Sequence, residues 1–259
     1  MHTNRQGLSA MLEQLGITRH RLLAGVGIIA IFEVTIIGFA VLQAWIEYRL
    51  AWPPVAVYTV FWVIWTFWHS WLFPRNRLRY LVSEHPYRRA FVFDIYPWVS
   101  AGFSQMWRPM INGDTLGRLL HGNFTLRPAS VIAGMAICTV SLLIIIQAIR
   151  AIGIHNAAFM GEFVDSESFV LLRNGIYKFV THPLFWSGIA YSIGLAIAVS
   201  TLTAYEIAGS NVLYGVVYHC LEDRRLEQIF GANYKAYRRG FGGSVLHATD
   251  DKMPGSRLV

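Results

Sequence analysis

Apolar runs too long to be hidden inside a soluble domain dictate what this chain can become. Residues 129–148 pass through Val131, Ile132, Ile137, Val140 and the block Leu142–Ile146 without one charged side chain. Roughly 18 to 20 such residues cross the hydrocarbon of a bilayer. Lipid offers nothing to a backbone N–H or C=O, so a spanning segment satisfies them internally as a helix. Further apolar runs occupy 22–45, 53–73, 184–199 and 204–219, and a weaker one 90–107. The expected fold is all-α: a polytopic membrane bundle of about six helices. With 54% hydrophobic and 14% charged residues, the length is no guide to a count of soluble domains.

Four units follow from the order of these runs. Residues 1–20 carry Leu8, Met11, Leu12 and Leu15 at the spacing of one helix face, an amphipathic helix for the membrane surface. Spans 1–4 fill 21–149, with Glu33 in the first read as protonated or bonded to a neighbouring helix. The third contains Asp94, Pro97, Ser100 and Gln105, which must face the bundle interior. Turn residues throughout 108–128 make an outside loop. Residues 150–239 form a core: a connection containing His155, Asn156 and Glu162, a tight hairpin of spans 5 and 6, and a charged amphipathic C-terminal helix. Gly188, Gly194, Ala198, Gly209 and Gly215 are small enough to bring the hairpin helices close together. Residues 240–259 read as a flexible tail.

Basic residues set the orientation. The chain has 22 Lys+Arg against 15 Asp+Glu, a balance that suggests nucleic acid in a soluble protein. Here the arginines concentrate in 74–89 (Arg75, Arg77, Arg79, Arg88, Arg89) and again after Glu222. Cytoplasmic loops of membrane proteins carry this excess, and anionic lipid is the natural counter-charge. The partner expected from this charge is therefore the bilayer, with no nucleic acid. Both termini fall inside, at the inner membrane if the source is bacterial. Cys138 and Cys220 lie in apolar runs and imply no disulfide.

Under this topology His69, Asp94, His182, His219, Glu222 and Asp223 all emerge at the cytoplasmic face and can line one pocket. Polar residues collect at helix ends in any membrane protein, so the shared face carries the argument. His182-Pro183 opens the fifth span, where proline's missing N–H costs nothing. Glu222 and Asp223 oppose the macrodipole at the end of the sixth, and need Arg224, Arg225 or a bound cation to offset them. Tyr177, Phe179, Phe185 and Trp186 suit either an aromatic belt or a ligand wall.

Gly175, Tyr177, His182 and Pro183, followed by Glu222, Asp223, Leu226, Phe230, Gly231, Tyr234 and Tyr237, resemble the signature of the isoprenylcysteine carboxyl methyltransferase-like and phospholipid methyltransferase superfamily. Thr181, Phe185 and Ser187 stand where arginine, tyrosine and glycine are usual. The likeness is nearest to the methanethiol S-methyltransferase and zeta-carotene-isomerase-like (NnrU-type) branches, through His69-Ser70, Tyr87-Arg88, Trp107-Arg108-Pro109, His182–Trp186 and Asp223–Arg225. The resemblance implies a membrane enzyme that transfers a methyl group from S-adenosylmethionine to a small-molecule or lipid-like substrate (a thiol, carboxyl or lipid acceptor) at the cytoplasmic face. It would make Tyr177, His182, Pro183, Glu222, Asp223, Tyr234, Tyr237 and Arg238 cofactor contacts and leave His69, Asp94 and Trp186 for the acceptor. Aromatic faces and a carboxylate suit a sulfonium, Arg238 or Arg239 a carboxylate, and no metal is required. The isomerase-like branch implies an alternative: haem b held by His69 and His182.

Overall fold

The computed structural model describes residues 19–82, 85–152 and 171–242. Residues 1–18 of the expected surface helix, His155, Asn156 and Glu162, and the tail beyond 242 lie outside the described residues, while Arg19 and His20 begin the first helix. Those described form helices joined by short connections, with no strand among them. Helix α1 is Arg19–Leu50 and α2 is Pro54–Leu81. Helix α3 covers 86–107, α4 is Gly113–Leu120 and α5 is Pro128–Ile152. After a single turn at Gly175–Lys178 come α6 (Pro183–Val199), α7 (Leu202–Phe230) and α8 (Ala232–Gly242). Three helices, Ala30–Leu50 within α1, α2 and α5, are long and apolar enough to cross a membrane by length and composition, and α6 is a shorter apolar helix.

Several boundaries differ from expectation, each for a local reason. The second span was expected to stop at 73 before an arginine-rich loop, yet α2 continues to Leu81. It passes Pro74 through a wider π-helical turn at Trp68–Leu72, where the Phe73 N–H reaches back to the Trp68 carbonyl. The helix resumes with the proline in its first turn, where the missing donor breaks no bond. The same device recurs in α3: a π turn at Phe91–Ile95 immediately precedes the helix that starts Tyr96-Pro97. The expected outside loop at 108–128 contains α4, because Asn112 caps it by accepting from the Thr115 N–H at 2.9 Å. Beyond the sixth apolar run α7 continues unbroken to Phe230.

Packing sorts the small residues differently from a simple hairpin. A Cβ added at Gly134 of α5 would lie 2.3 Å from the Gly194 carbonyl oxygen and 2.6 Å from the Ala198 nitrogen of α6. Gly194 and Ala198 thus serve the α5–α6 contact, a close helix approach of the small-residue kind. Gly215 does face α6, against Ile189 and Phe185, while Gly188 faces Met106 of α3. A Cβ at Gly209 would meet nothing.

Ser100 and Gln105 of α3 are buried as expected, and Ser104 is buried with them. They lie beside an interhelical network in which Tyr58 of α2 donates to Asn211 of α7. Asn211 in turn donates to Ser192 Oγ at 2.6 Å and to the Gln105 carbonyl at 3.3 Å. Glu33 does not join the bundle. The inward stripe of α1 is Ile36, Ala40, Ala44 and Glu47, Phe32 packs on Tyr96 and Phe103, and Glu33 is exposed beside them.

Candidate active site

Two bundle ends are distinguished by the path of α7. Its first turn is capped by Thr201, which accepts from the Ala204 N–H at 3.2 Å, and Thr203 reaches Asp114 of α4 at 3.4 Å. At about 1.5 Å per residue, Asp223 lies some 30 Å further along. That far end gathers the site.

His182 stands just before α6, with Pro183 in the first turn and fully buried. Its side chain makes no cap; Nε2 lies 2.8 Å from Asp223 Oδ1 and 3.2 Å from the Tyr234 hydroxyl. His219 and Asp223 are one helical turn apart on α7 and so share a face. The rings of His182 and His219 meet edge to face at 4.6 Å, and His219 Nε2 lies 3.7 Å from Asp223 Oδ2. Gly231 then reverses the chain at φ +54, a conformation that favours glycine. This folds α8 back so that Tyr234 donates to Asp223 Oδ1 at 2.5 Å. One turn later, Arg238 Nη2 lies 3.1 Å from Asp223 Oδ2 without hydrogen-bond geometry.

Asp223 is the hub. It is 3% exposed, and burial alone would push its carboxyl up; hydrogen bonds from Tyr234 and His182 and the neighbouring imidazoles hold it below the ordinary aspartate range. Burial and the bond to Asp223 push the Tyr234 phenol well up, so it remains a donor. Tyr237 donates to the Tyr177 carbonyl at 2.6 Å, fastening α8 to the Gly175–Lys178 turn, and burial pushes both phenols up to about 12. Arg173 Nη2 donates to the Asn233 carbonyl at 3.1 Å, a second tie between the same two segments.

The other expected site residues divide. Trp186 lies against His219, with centroids 5.5 Å apart. Glu222 turns toward Arg225, at 3.0 and 3.1 Å, rather than into the cluster. His69, in the α2 π turn, stacks on Trp65 at 5.3 Å with Tyr218 edge-on at 5.3 Å. Asp94, in the α3 π turn, accepts from Trp68 Nε1 at 2.5 Å and Asn76 Nδ2 at 3.0 Å. The expected single pocket is therefore two adjoining clusters, with Tyr218 contacting His69 on one side and Phe185 on the other. Neither Trp68 nor Tyr218 is singled out by the sequence, whereas His219 is, by its place with Glu222 and Asp223 at the end of the sixth run.

Comparison with known families bears on this end of the molecule. Residues 129–233 match the phospholipid methyltransferase family. The phospholipid methyltransferase stretch runs from the first turn of α5 through α6 and α7 to the residue before Tyr234, so it contains His182, His219 and Asp223. Over that stretch the chain is similar to this family, which bears out the wider superfamily resemblance read from the motifs. No curated protein and no solved structure matches. The haem alternative gains no support from the family match, and His69, one of its two expected ligands, is packed among aromatic rings.

The donor set fits the cofactor of such a family. Arg238, with a side chain 53% exposed, can turn to a carboxylate. The faces of Trp186 and Tyr237 suit a sulfonium. Of the acids, Glu222 lies toward the outside and Asp223 beneath.

Proposed function

We propose that the protein is a membrane methyltransferase that takes its methyl group from S-adenosylmethionine and delivers it to a thiol, carboxyl or lipid acceptor at the cytoplasmic face. The observation that carries this reading is the convergence of His182 and Asp223, within the segment matching phospholipid methyltransferases, with Tyr234 and Arg238 just beyond it. The topology is about six spans, with α3, α6 and α7 crossing despite their shorter apolar lengths and both termini inside. The 150–239 core is the catalytic unit, and spans 1–4 flank it.

The cofactor supplies an electrophilic methyl on a sulfonium. The protein's contribution is alignment, since in-line displacement gains most from positioned reactants. Arg238 binds the amino-acid carboxylate through its guanidinium fork, and Glu222 accepts from the amino or ribose groups. Asp223, His182 and Tyr234 hold one another in place, so α8 cannot drift from α7. Tyr177 and Tyr237 close the wall beside them, Pro183 fixes the His182 backbone, and Trp186, His69 and Asp94 lie toward the acceptor side.

Calorimetric titration of the detergent-solubilised protein with S-adenosylmethionine tests this. Saturable one-to-one binding is expected, weakened about ten- to a hundredfold in Arg238→Gln, as for loss of a charge-assisted contact. No binding by a well-folded protein would sink the proposal.

A further inference from the structure

Two polar atoms near the end of α7 are buried without a hydrogen-bond partner: His219 Nδ1 and Asp223 Oδ2. Such groups are rare in folded proteins and call for a physical explanation. Here they lie in one cluster. The Asp223 side chain is 5% exposed, and that of His182, whose Nε2 lies 2.8 Å from Asp223 Oδ1, is 10% exposed. One ligating atom from each of His182, His219 and Asp223 lies within 4.8 Å of the others.

We infer that His182, His219 and Asp223 form a binding site for a divalent transition metal of the zinc class, with a position left open for a thiolate acceptor. Two imidazoles and one carboxylate are the donor set of open catalytic zinc sites, which keep a place for water or substrate. The framework is largely fixed: Pro183 anchors His182 at the head of α6, and His219 and Asp223 project from successive turns of α7. Tyr234, donating to Asp223 Oδ1 at 2.5 Å, is the outer partner that orients a ligating carboxylate. Donor atoms around zinc sit about 3.3 Å apart, given bonds near 2 Å, so closure takes side-chain rotations of roughly 1 Å.

Charge points to the acceptor class. Two neutral imidazoles and one carboxylate leave a divalent ion with one net positive charge, and the Arg238 guanidinium stands beside it. An incoming anion is favoured, and zinc, borderline-soft, takes thiolate well. The acceptor step rests on the methyltransferase reading; the metal site does not. On binding, the thiol loses its S–H proton to water. Its sulfur lone pair then forms the new S–CH3 bond as the CH3–S⁺ bond of the sulfonium breaks, giving a methyl thioether and a neutral thioether leaving group.

The test uses the full chain in detergent, stripped with a chelator and titrated with Zn(II) alone, then with Co(II) as a spectroscopic stand-in. One equivalent of zinc is expected, with the visible bands of four-coordinate Co(II). His219→Gln and Asp223→Asn should abolish that equivalent, and Tyr234→Phe should weaken it about 10- to 100-fold. Thermal melts report whether each variant is folded. Adding 2-mercaptoethanol to the Co(II) form should produce a sulfur-to-metal charge-transfer band. No stoichiometric metal in the wild-type protein, or equal metal in folded His219→Gln, overturns the site; an unchanged Co(II) spectrum with the thiol overturns the thiolate. Titration of the same samples with S-adenosylmethionine separates the two readings. Arg238→Gln should bind S-adenosylmethionine about ten- to a hundredfold more weakly and keep zinc, and His219→Gln should keep the cofactor and lose zinc.

Discussion

The two ends of the bundle each bury a carboxylate against an arginine, and they do so in opposite ways. At one end Glu47 of α1 pairs with Arg108 at the end of α3, both side chains fully buried. Glu47 Oε2 also accepts from the Gly113 N–H at 2.9 Å, and Arg108 donates to the Ile111 carbonyl at 2.6 Å. The close approach is built in, since a Cβ on Gly113 would lie 2.7 Å from Glu47 Cβ. At the other end Asp223 is equally buried, but its arginine is half exposed and one of its oxygens has no hydrogen bond. The first end is a closed joint between α1, α3 and α4. The Arg108 Nε left without a hydrogen bond at the first end is sealed inside the joint, whereas the second end leaves its arginine half exposed between Asp223 and Glu227, where an incoming ligand can reach it.

Breaking the closed joint should produce the largest effect. Arg108→Leu leaves Glu47 buried with no cation, and loss of one partner of a buried pair costs about 3–5 kcal/mol. Unfolding in mixed micelles is the measurement. The double variant Glu47→Leu/Arg108→Leu should recover most of that loss, because replacing a buried pair by apolar residues is often neutral. A double variant no better than the single one would mean that the joint does more than hold three helices.

Asp223→Asn should act the other way, on binding more than on folding. The amide keeps the shape but not the charge that His182, Tyr234 and Arg238 surround. A charge-assisted interaction is worth about 1.5–3 kcal/mol, so S-adenosylmethionine affinity should fall about ten- to a hundredfold, with a smaller change in melting. pH gives a second view. The folded carboxyl titrates below its ordinary value, so its stabilising contribution is complete above about pH 4. As pH drops through the lower folded value that contribution is lost. Release of α8, read by proteolysis after Arg238 or Arg239, should therefore begin only below about pH 4. Release near neutrality would mean that Asp223 does not hold α8 down.

The contrast between the ends also shows how much was legible beforehand. Apolar runs marked where helices lie, because lipid leaves the backbone no other structure, whereas the arginines of 74–89, read as a loop, lie largely on α2 and α3. Motif spacing pointed to His182, Asp223 and Tyr234 because the bends that join them are written in Pro183 and Gly231. What escaped was rotation about a helix axis. Nothing in the sequence says that α2 and α3 pass Pro74 and Pro97 through π turns, which turn His69 into the Trp65–Tyr218 aromatics and Asp94 onto Trp68. The Glu47–Arg108 pair was equally hidden, since its members are 61 positions apart and each looks like an ordinary interfacial charge. Likewise Gly194 was visible as small, but not as the partner of Gly134.

Glu222 gives the smallest and sharpest test, because it neighbours Asp223 in sequence yet faces another way. Its carboxylate is held by Arg225 across one helical turn at 3.0 and 3.1 Å, with side chains 17% and 26% exposed. A pair of this kind in contact with water contributes at most about 1 kcal/mol, so Glu222→Gln should leave melting nearly unchanged. For the cofactor, Glu222 either reaches the amino or ribose groups while still bonded to Arg225, or remains occupied by Arg225. Arg225→Gln separates these cases, since it frees Glu222 without removing it. If Glu222 contacts the cofactor, Glu222→Gln weakens S-adenosylmethionine binding and Arg225→Gln leaves it the same or tighter. Both variants binding like the parent protein would confine the cofactor's acidic contact to Asp223 and leave Glu222 as a partner of the helix end.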